Sequence, residues 1–164
     1  MERVSKIIAY HISIEGGFSC GDSIIAGKKK NGVYRKYVRA LLKVKKSSND
    51  RRRCLIQYHL EKIRKRYYSE YPSRFTALYV QLDKAKSMDI LNIWKQNGYK
   101  SAQILTLELH GHIHKCAHQK LSNEDYSTKD EIRKKSHDYW NGVNGEEEYL
   151  FVGCANVVNV ENIM

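Results

Sequence analysis

The chain has 164 residues, with 29 Lys+Arg against 18 Asp+Glu, a net charge of +11, and 41% hydrophobic residues. That length and composition fit one globular domain with its own core, residues 1–164, and exclude intrinsic disorder and a pair of large domains. No apolar run approaches the ~20 residues of a membrane span, and the start, MERVSKIIAYHIS, has no apolar targeting core or cleavage site, so a cytoplasmic protein is expected.

Lys6–Ile14 is rich in Ile and Tyr and reads as a strand carrying His11. Gly16, Gly17 and Gly21 follow, so Gly16–Gly27 reads as a loop. Val33–Lys46 has helical spacing, with Tyr34, Val38, Leu41 and Leu42 on one side. Ser47–Asp50 offers N-cap chemistry. Arg51–Tyr68 is the clearest helix, with Ile56, Leu60, Ile63 and Tyr67 in one stripe and Arg and Lys opposite. After Pro72, the β-branched and aromatic Ser73–Leu82 reads as a strand.

Ser87–Asn97 is a short helix with Met88, Leu91 and Trp94 inward and Gly98 as its stop. In SAQILTLELHGHIH, Leu105, Leu107, Leu109 and Ile113 alternate with Thr106, Glu108, His110, His112 and His114, the pattern of a half-buried strand. Thr128 and Glu131 form a capping box for a helix running to Trp140, closed by Asn141 and Gly142. Glu148–Val160 is the last strand. Helices and strands mix without a regular βαβ alternation, and no GxGxxG or GxxxxGK[ST] is present, so the class is α+β rather than a parallel nucleotide-binding sheet.

Charge is concentrated in residues 28–66, where tyrosines are interleaved with cations. Lys28, Lys29, Lys30, Arg35, Arg51, Arg52 and Arg53 are the residues expected to meet RNA or DNA, since such a surface attracts polyanions. Cys20, Cys54, Cys116 and Cys154 are far apart and form no CxxC pair, which points to reduced thiols rather than disulfides. His110, His112 and His114 share a face with Glu108, and imidazoles two apart on a strand can meet one zinc or copper ion. An exposed polar face gives the same pattern, and no metal site is assigned.

An ordered set of motifs remains: His11 in the first strand, Glu61 and Arg64 before Pro72-Ser73-Arg74, Tyr139-Trp140, and Glu148 opening the last strand. In this set the chain resembles a family of uncharacterised bacterial and phage proteins, and through it the ADP-ribosyltransferase fold. The resemblance implies a split, mostly antiparallel β core flanked by basic helices, with NAD as cofactor. It also implies roles: Glu148 as the catalytic carboxylate, Glu146 beside it for the acceptor, His11 on ribose hydroxyls, Ser73 bracing the cleft, and Arg74 on the diphosphate. Cleavage of the nicotinamide–ribose bond builds positive charge on the ribose carbon, which a fixed carboxylate stabilises. Ile12 departs from the pattern, since many enzymes of this fold place Gly or Thr after the first-strand His. The activity implied is ADP-ribosyl transfer or NAD cleavage, with a nucleic acid or protein acceptor. The alternative is a non-enzymatic basic module that binds nucleic acid or an acidic host protein, such as a phage-encoded inhibitor.

Overall fold

A computed structural model describes residues 1–14, 16–43, 45, 47–96, 98, 101–118 and 128–163. Five strands and four helices follow in order: β1 Glu2–Ser13, β2 Ser23–Ala26, α1 Gly32–Leu42, α2 Ser48–Tyr67, β3 Leu78–Val80, α3 Lys84–Gln96, β4 Ala102–His118, α4 Lys129–Asn141 and β5 Glu146–Ile163. The described strands form one antiparallel sheet in the order β1-β4-β5-β2, with β3 also on β5. The class is α+β. Where the resemblance implies a split core, the described strands form one curled sheet.

The curl has a visible closure. β3 pairs with β5 from Leu78↔Phe151 to Val80↔Tyr149. The next residue, Gln81, bridges back to Tyr10 of β1, each backbone amide donating to the other's carbonyl at 2.8 and 2.9 Å. The first strand therefore meets the third across the mouth of the sheet, beside His11. Gly111 and Gly153 permit tight strand contact where β4 and β5 face each other. A Cβ on Gly111 would lie 2.2 Å from the Val152 carbonyl oxygen, and one on Gly153 2.3 Å from that of His110.

The alternation of β4 sends Leu105, Leu107, Leu109 and Ile113 into the concave side, with Phe151, Ala155 and Val157 of β5 and Val4 and Ala9 of β1. The opposite face is covered by α2 and α4, which bury Ile56, Leu60, Ile63, Tyr139 and Trp140 against Cys116 and Leu150. α3 seals one end through Leu91 against Ala102 and Ile104. Capping fixes the helix starts. Ser47 and Asp50 form the box of α2 and Thr128 and Glu131 that of α4, while Gly142 closes α4 at φ 68°.

Several sequence expectations shift. Strand β2 lies inside the glycine-rich loop. The strand expected over Ser73–Leu82 shortens to β3, because Ser73–Ala77 is a turn. Leu41 and Leu42 are exposed, since α1 instead rests Tyr34 and Tyr37 on Phe75 and buries Ala40. Tyr67 leaves the buried stripe of α2 and lies exposed beside His137. Val44 and Lys46, at the expected end of the first helix, lie outside the described residues. Cys54 and Cys116 are buried, Cys154 is half-buried and Cys20 is exposed, all as free thiols. Among the described residues no helix is long and apolar enough to cross a membrane.

Candidate functional site

The turn after Pro72 places Arg74 beneath α2 and α4, where it is only 7% exposed. Its backbone is held from the start of α1 and from β3. Asn31, the N-cap of α1, donates from Nδ2 to the Arg74 and Ala77 carbonyls at 2.7 and 2.8 Å, and the Tyr79 hydroxyl donates to the Arg74 carbonyl at 3.0 Å. Ser73 ties the turn to α2: its Oγ donates to Glu61 Oε2 at 3.1 Å and accepts from the Phe75 amide at 3.2 Å. Glu61 also pairs with Arg64 at 2.8 Å, and Arg64 Nη1 donates to the Tyr71 carbonyl at 2.9 Å. An i, i+3 helix pair thus clamps the segment that delivers Arg74.

The Arg74 side chain gathers three elements. Nη1 donates to Glu148 Oε1 of β5 at 2.7 Å and meets the Tyr139 hydroxyl of α4; Nε donates to Gln57 of α2 at 3.3 Å. Tyr139 donates to the same Glu148 oxygen at 2.5 Å. The guanidinium lies over the rings of Tyr139 and Tyr79, at 4.6 and 5.3 Å from their centroids. Ion pair, hydrogen bonds and ring faces together compensate a charge taken almost wholly out of water. Burial works against that charge, but Tyr139, Tyr79 and Glu148 outweigh it and hold Arg74 well above its ordinary pKa. Burial also raises the Tyr139 phenol well above its usual range and pushes the neighbouring Cys116 thiol up to about 12. The tyrosine therefore stays a donor and the thiol stays inert.

His11 joins this system at the sheet closure. Its Nδ1 lies 2.8 Å from the Tyr79 carbonyl oxygen. A carbonyl only accepts, so Nδ1 carries the proton. Burial lowers the ring's pKa, so the neutral form dominates and Nε2 is left as an acceptor. His11, Tyr79, Arg74 and Glu148 form one bonded chain. Both described contacts of Glu148 fall on Oε1. No described hydrogen bond falls on Glu148 Oε2 or His11 Nε2, and neither is among the described side-chain atoms sealed without a partner, which are Gln81 Oε1 and Ser87 Oγ.

The other candidates lie elsewhere. Glu146 is exposed at the first position of β5, opposite His118. Lys28, Lys29, Lys30, Arg35 and Arg51 are exposed and Arg52 is half-buried, with Lys30 over the Tyr34 ring at 4.7 Å. The side chain of Arg53 lies outside the described residues. His110 turns to Glu108 at 2.9 Å, whereas His114 stacks on Tyr71 at 3.7 Å and donates to the Trp140 carbonyl at 3.1 Å. Among the described residues no group of three or more His, Cys, Asp or Glu is placed to hold a metal ion.

The ordered motif set includes Tyr139 beside Trp140 without giving its hydroxyl a partner, and it does not include Tyr79, Gln57 or Asn31. For Tyr139 a signal existed: a tyrosine buried beside a tryptophan needs a partner for its hydroxyl. The search of curated proteins returned no match. Over residues 37–163, from α1 through β5, the chain matches the family model described as "Protein of unknown function (DUF2441)". That span takes in Arg74, Tyr139 and Glu148 and leaves out His11; the chain belongs to this family.

Proposed function

We propose that the protein is an ADP-ribosyltransferase-like enzyme of the cytoplasm that cleaves the nicotinamide–ribose bond of NAD, with Glu148 as the catalytic carboxylate. The observation that carries this reading is the chain of hydrogen bonds joining His11 to Glu148 through Tyr79 and Arg74, with an acceptor atom at each end on which no described hydrogen bond falls. NAD supplies a ribose with donor hydroxyls and a bond whose rupture leaves positive charge on the ribose carbon.

The donor set fits a ribose. His11 Nε2 accepts from one hydroxyl and Glu148 Oε2 from another. Oε1 is anchored by Arg74 and Tyr139, so the carboxylate is oriented before any ligand arrives, which is the condition for electrostatic stabilisation. Arg74 spends Nε and Nη1 on Gln57, Tyr139 and Glu148 and so positions the carboxylate, while no described bond falls on Nη2, the edge left for the diphosphate contact implied by resemblance. Glu146, two residues earlier on the same strand, faces the acceptor, a nucleic acid or a protein.

The test is ligand-dependent melting. NAD or ADP-ribose should raise the melting temperature, with a stabilisation of about 2.7 kcal/mol at a hundred times the dissociation constant. His11→Ala should lose most of that shift while still unfolding in one cooperative transition, at a lower temperature because the Tyr79 carbonyl loses its donor. A wild-type chain that neither ligand stabilises contradicts the reading.

A further inference from the structure

We propose that the open face of the sheet carries a second site, a serine esterase centre with Ser5 as nucleophile, His110 as general base and Glu108 orienting that base. On β4 the side chains opposite the buried leucines run from Thr106 through Glu108, His110 and His112 to His114. α2 and α4 cover this face at His114 and Cys116. Further along, the β1 register partner of His110 is Ser5, which is exposed. The side chains of His110 and Glu108 are 35% and 33% exposed, so a substrate can reach all three residues.

The chemistry of the groups sets the direction of their hydrogen bonds. His110 Nε2 lies 2.9 Å from Glu108 Oε1. A carboxylate only accepts, so Nε2 carries the proton and Nδ1 keeps its lone pair. Ser5 Oγ faces that lone pair at 3.4 Å and donates to it. The distance is long, as nucleophile–base pairs often are before a substrate tightens them. Serine, histidine and acid thus stand in the order of a catalytic triad, with the two ring nitrogens exchanged.

The backbone beside Ser5 is an independent observation. The register of β1 on β4 passes from Ser5↔His110 to Ile7↔Leu109, which leaves Lys6 as an unpaired bulge residue. Lys6 holds φ 58°, a left-handed conformation that a lysine rarely adopts and that clusters at functional sites. Its amide has no register partner and directly follows the nucleophile, the position that supplies an oxyanion donor in serine hydrolases. Ile8, the β1 partner of Glu108 and 44% exposed, gives an acyl group an apolar seat on the same face. The substrate class is therefore an ester of a short apolar acid. Ser5 Oγ bonds to the carbonyl carbon while its proton passes to His110 Nδ1. The ester C–O bond then breaks, the leaving alcohol takes that proton, and acyl-Ser5 remains. Water, deprotonated by the same nitrogen, releases the carboxylic acid and restores the hydroxyl. The centre shares no residue with the Arg74–Glu148 site and does not depend on NAD chemistry.

The experiment is labelling with a fluorophosphonate, which bonds its phosphorus to an activated serine oxygen and expels fluoride, read by peptide mass spectrometry. The adduct should sit on Ser5. His110→Gln should slow labelling on the order of a hundredfold or more, the scale of losing a general base. Glu108→Gln presents an amide that can donate to Nε2. It should slow labelling and also change the His110 tautomer seen by nitrogen NMR, which lost packing alone would not do. Cys154, the β5 register partner of His110, is the nearest competing nucleophile, and Cys154→Ala should label at the wild-type rate. Hydrolysis of p-nitrophenyl butyrate should be lost in Ser5→Ala. Absence of an adduct on Ser5 overturns the proposal. So does wild-type labelling in His110→Gln or Glu108→Gln, or p-nitrophenol release that persists in Ser5→Ala, which is catalysis by a surface imidazole alone.

Discussion

Glu147 and Glu148 are adjacent on β5 and carry the same charge, yet they belong to different regions of the molecule. Glu147 points outward to Lys115 at 2.5 Å and Lys86 at 3.0 Å, with all three side chains open to water. Glu148 points inward to Arg74 and Tyr139, with only 13% of its side chain exposed. Strand alternation makes the division. Two lysines hold the Glu147 carboxyl down to about 2, but water and salt can replace them at little cost. Nothing in solvent can replace Arg74 beside Glu148. The pair with the more favourable charge count is the less consequential one.

Breaking the buried region should have the largest effect. Arg74→Ala leaves Glu148 without its cation and empties a space lined by aromatic rings. A loss of about 3–5 kcal/mol is expected, measured by urea denaturation. Replacing Arg74 and Glu148 together by Met and Leu should recover much of that loss, because no unpaired charge then remains. If the double variant is no more stable than Arg74→Ala, the cost comes from lost packing rather than from the orphaned charge.

A smaller effect is expected one contact further out. Ser73→Ala removes the bond to Glu61 and the support of the Phe75 amide, and should cost about 1–3 kcal/mol. Hydrogen exchange should quicken over residues 73–77, where this turn is built, and stay unchanged around Lys115.

Acid should also separate the regions. Burial lowers the folded-state pKa of His11 and of His114 below the ordinary value of 6.5. The unfolded chain therefore takes up protons that the folded chain refuses as pH falls below about 6.5. Their stabilisation is complete above that value and is lost as pH falls through the window down to the folded-state pKa. The slope is at most about 1.4 kcal/mol per pH unit for each ring. Urea midpoints should be level from pH 8 to pH 7 and decline below about 6.5; a level profile down to pH 5 contradicts the burial assigned to these rings.

The smallest effect belongs to Glu147→Gln. Its urea midpoint should stay close to wild type, and any difference at low salt should vanish at about 1 M, where the screening length is about 3 Å. A large, salt-resistant loss would erase the distinction between the two glutamates.

The sequence made some of this visible. Alternation placed the buried residues of β4, and helical spacing placed Ile56, Leu60 and Ile63. The capping residues of α2 and α4 were legible because their chemistry is local. His11, Ser73, Arg74 and Glu148 could be singled out one by one, but their connections could not. The turn at Arg74 reads as strand because its residues are aromatic and β-branched. What bends it is Asn31, 43 positions earlier in the chain. Tyr139 meets Glu148 only because α4 docks on β4, and no local pattern encodes that docking. Strand β2 was hidden for a related reason: four residues between glycines show no periodicity until β5 pairs with them.

Nicotinamide release from labelled NAD, compared between Glu148→Gln and Glu147→Gln, tests the central claim most directly. Both substitutions remove one negative charge from the same strand and keep the side chain's size. Glu148→Gln should reduce release by on the order of a hundredfold or more, the scale of losing one pre-oriented electrostatic group. Its NAD-dependent melting shift, read alongside, distinguishes lost chemistry from lost folding. Glu147→Gln should release nicotinamide at the wild-type rate. Equal release by the two variants would contradict the assignment of Glu148 as the catalytic carboxylate.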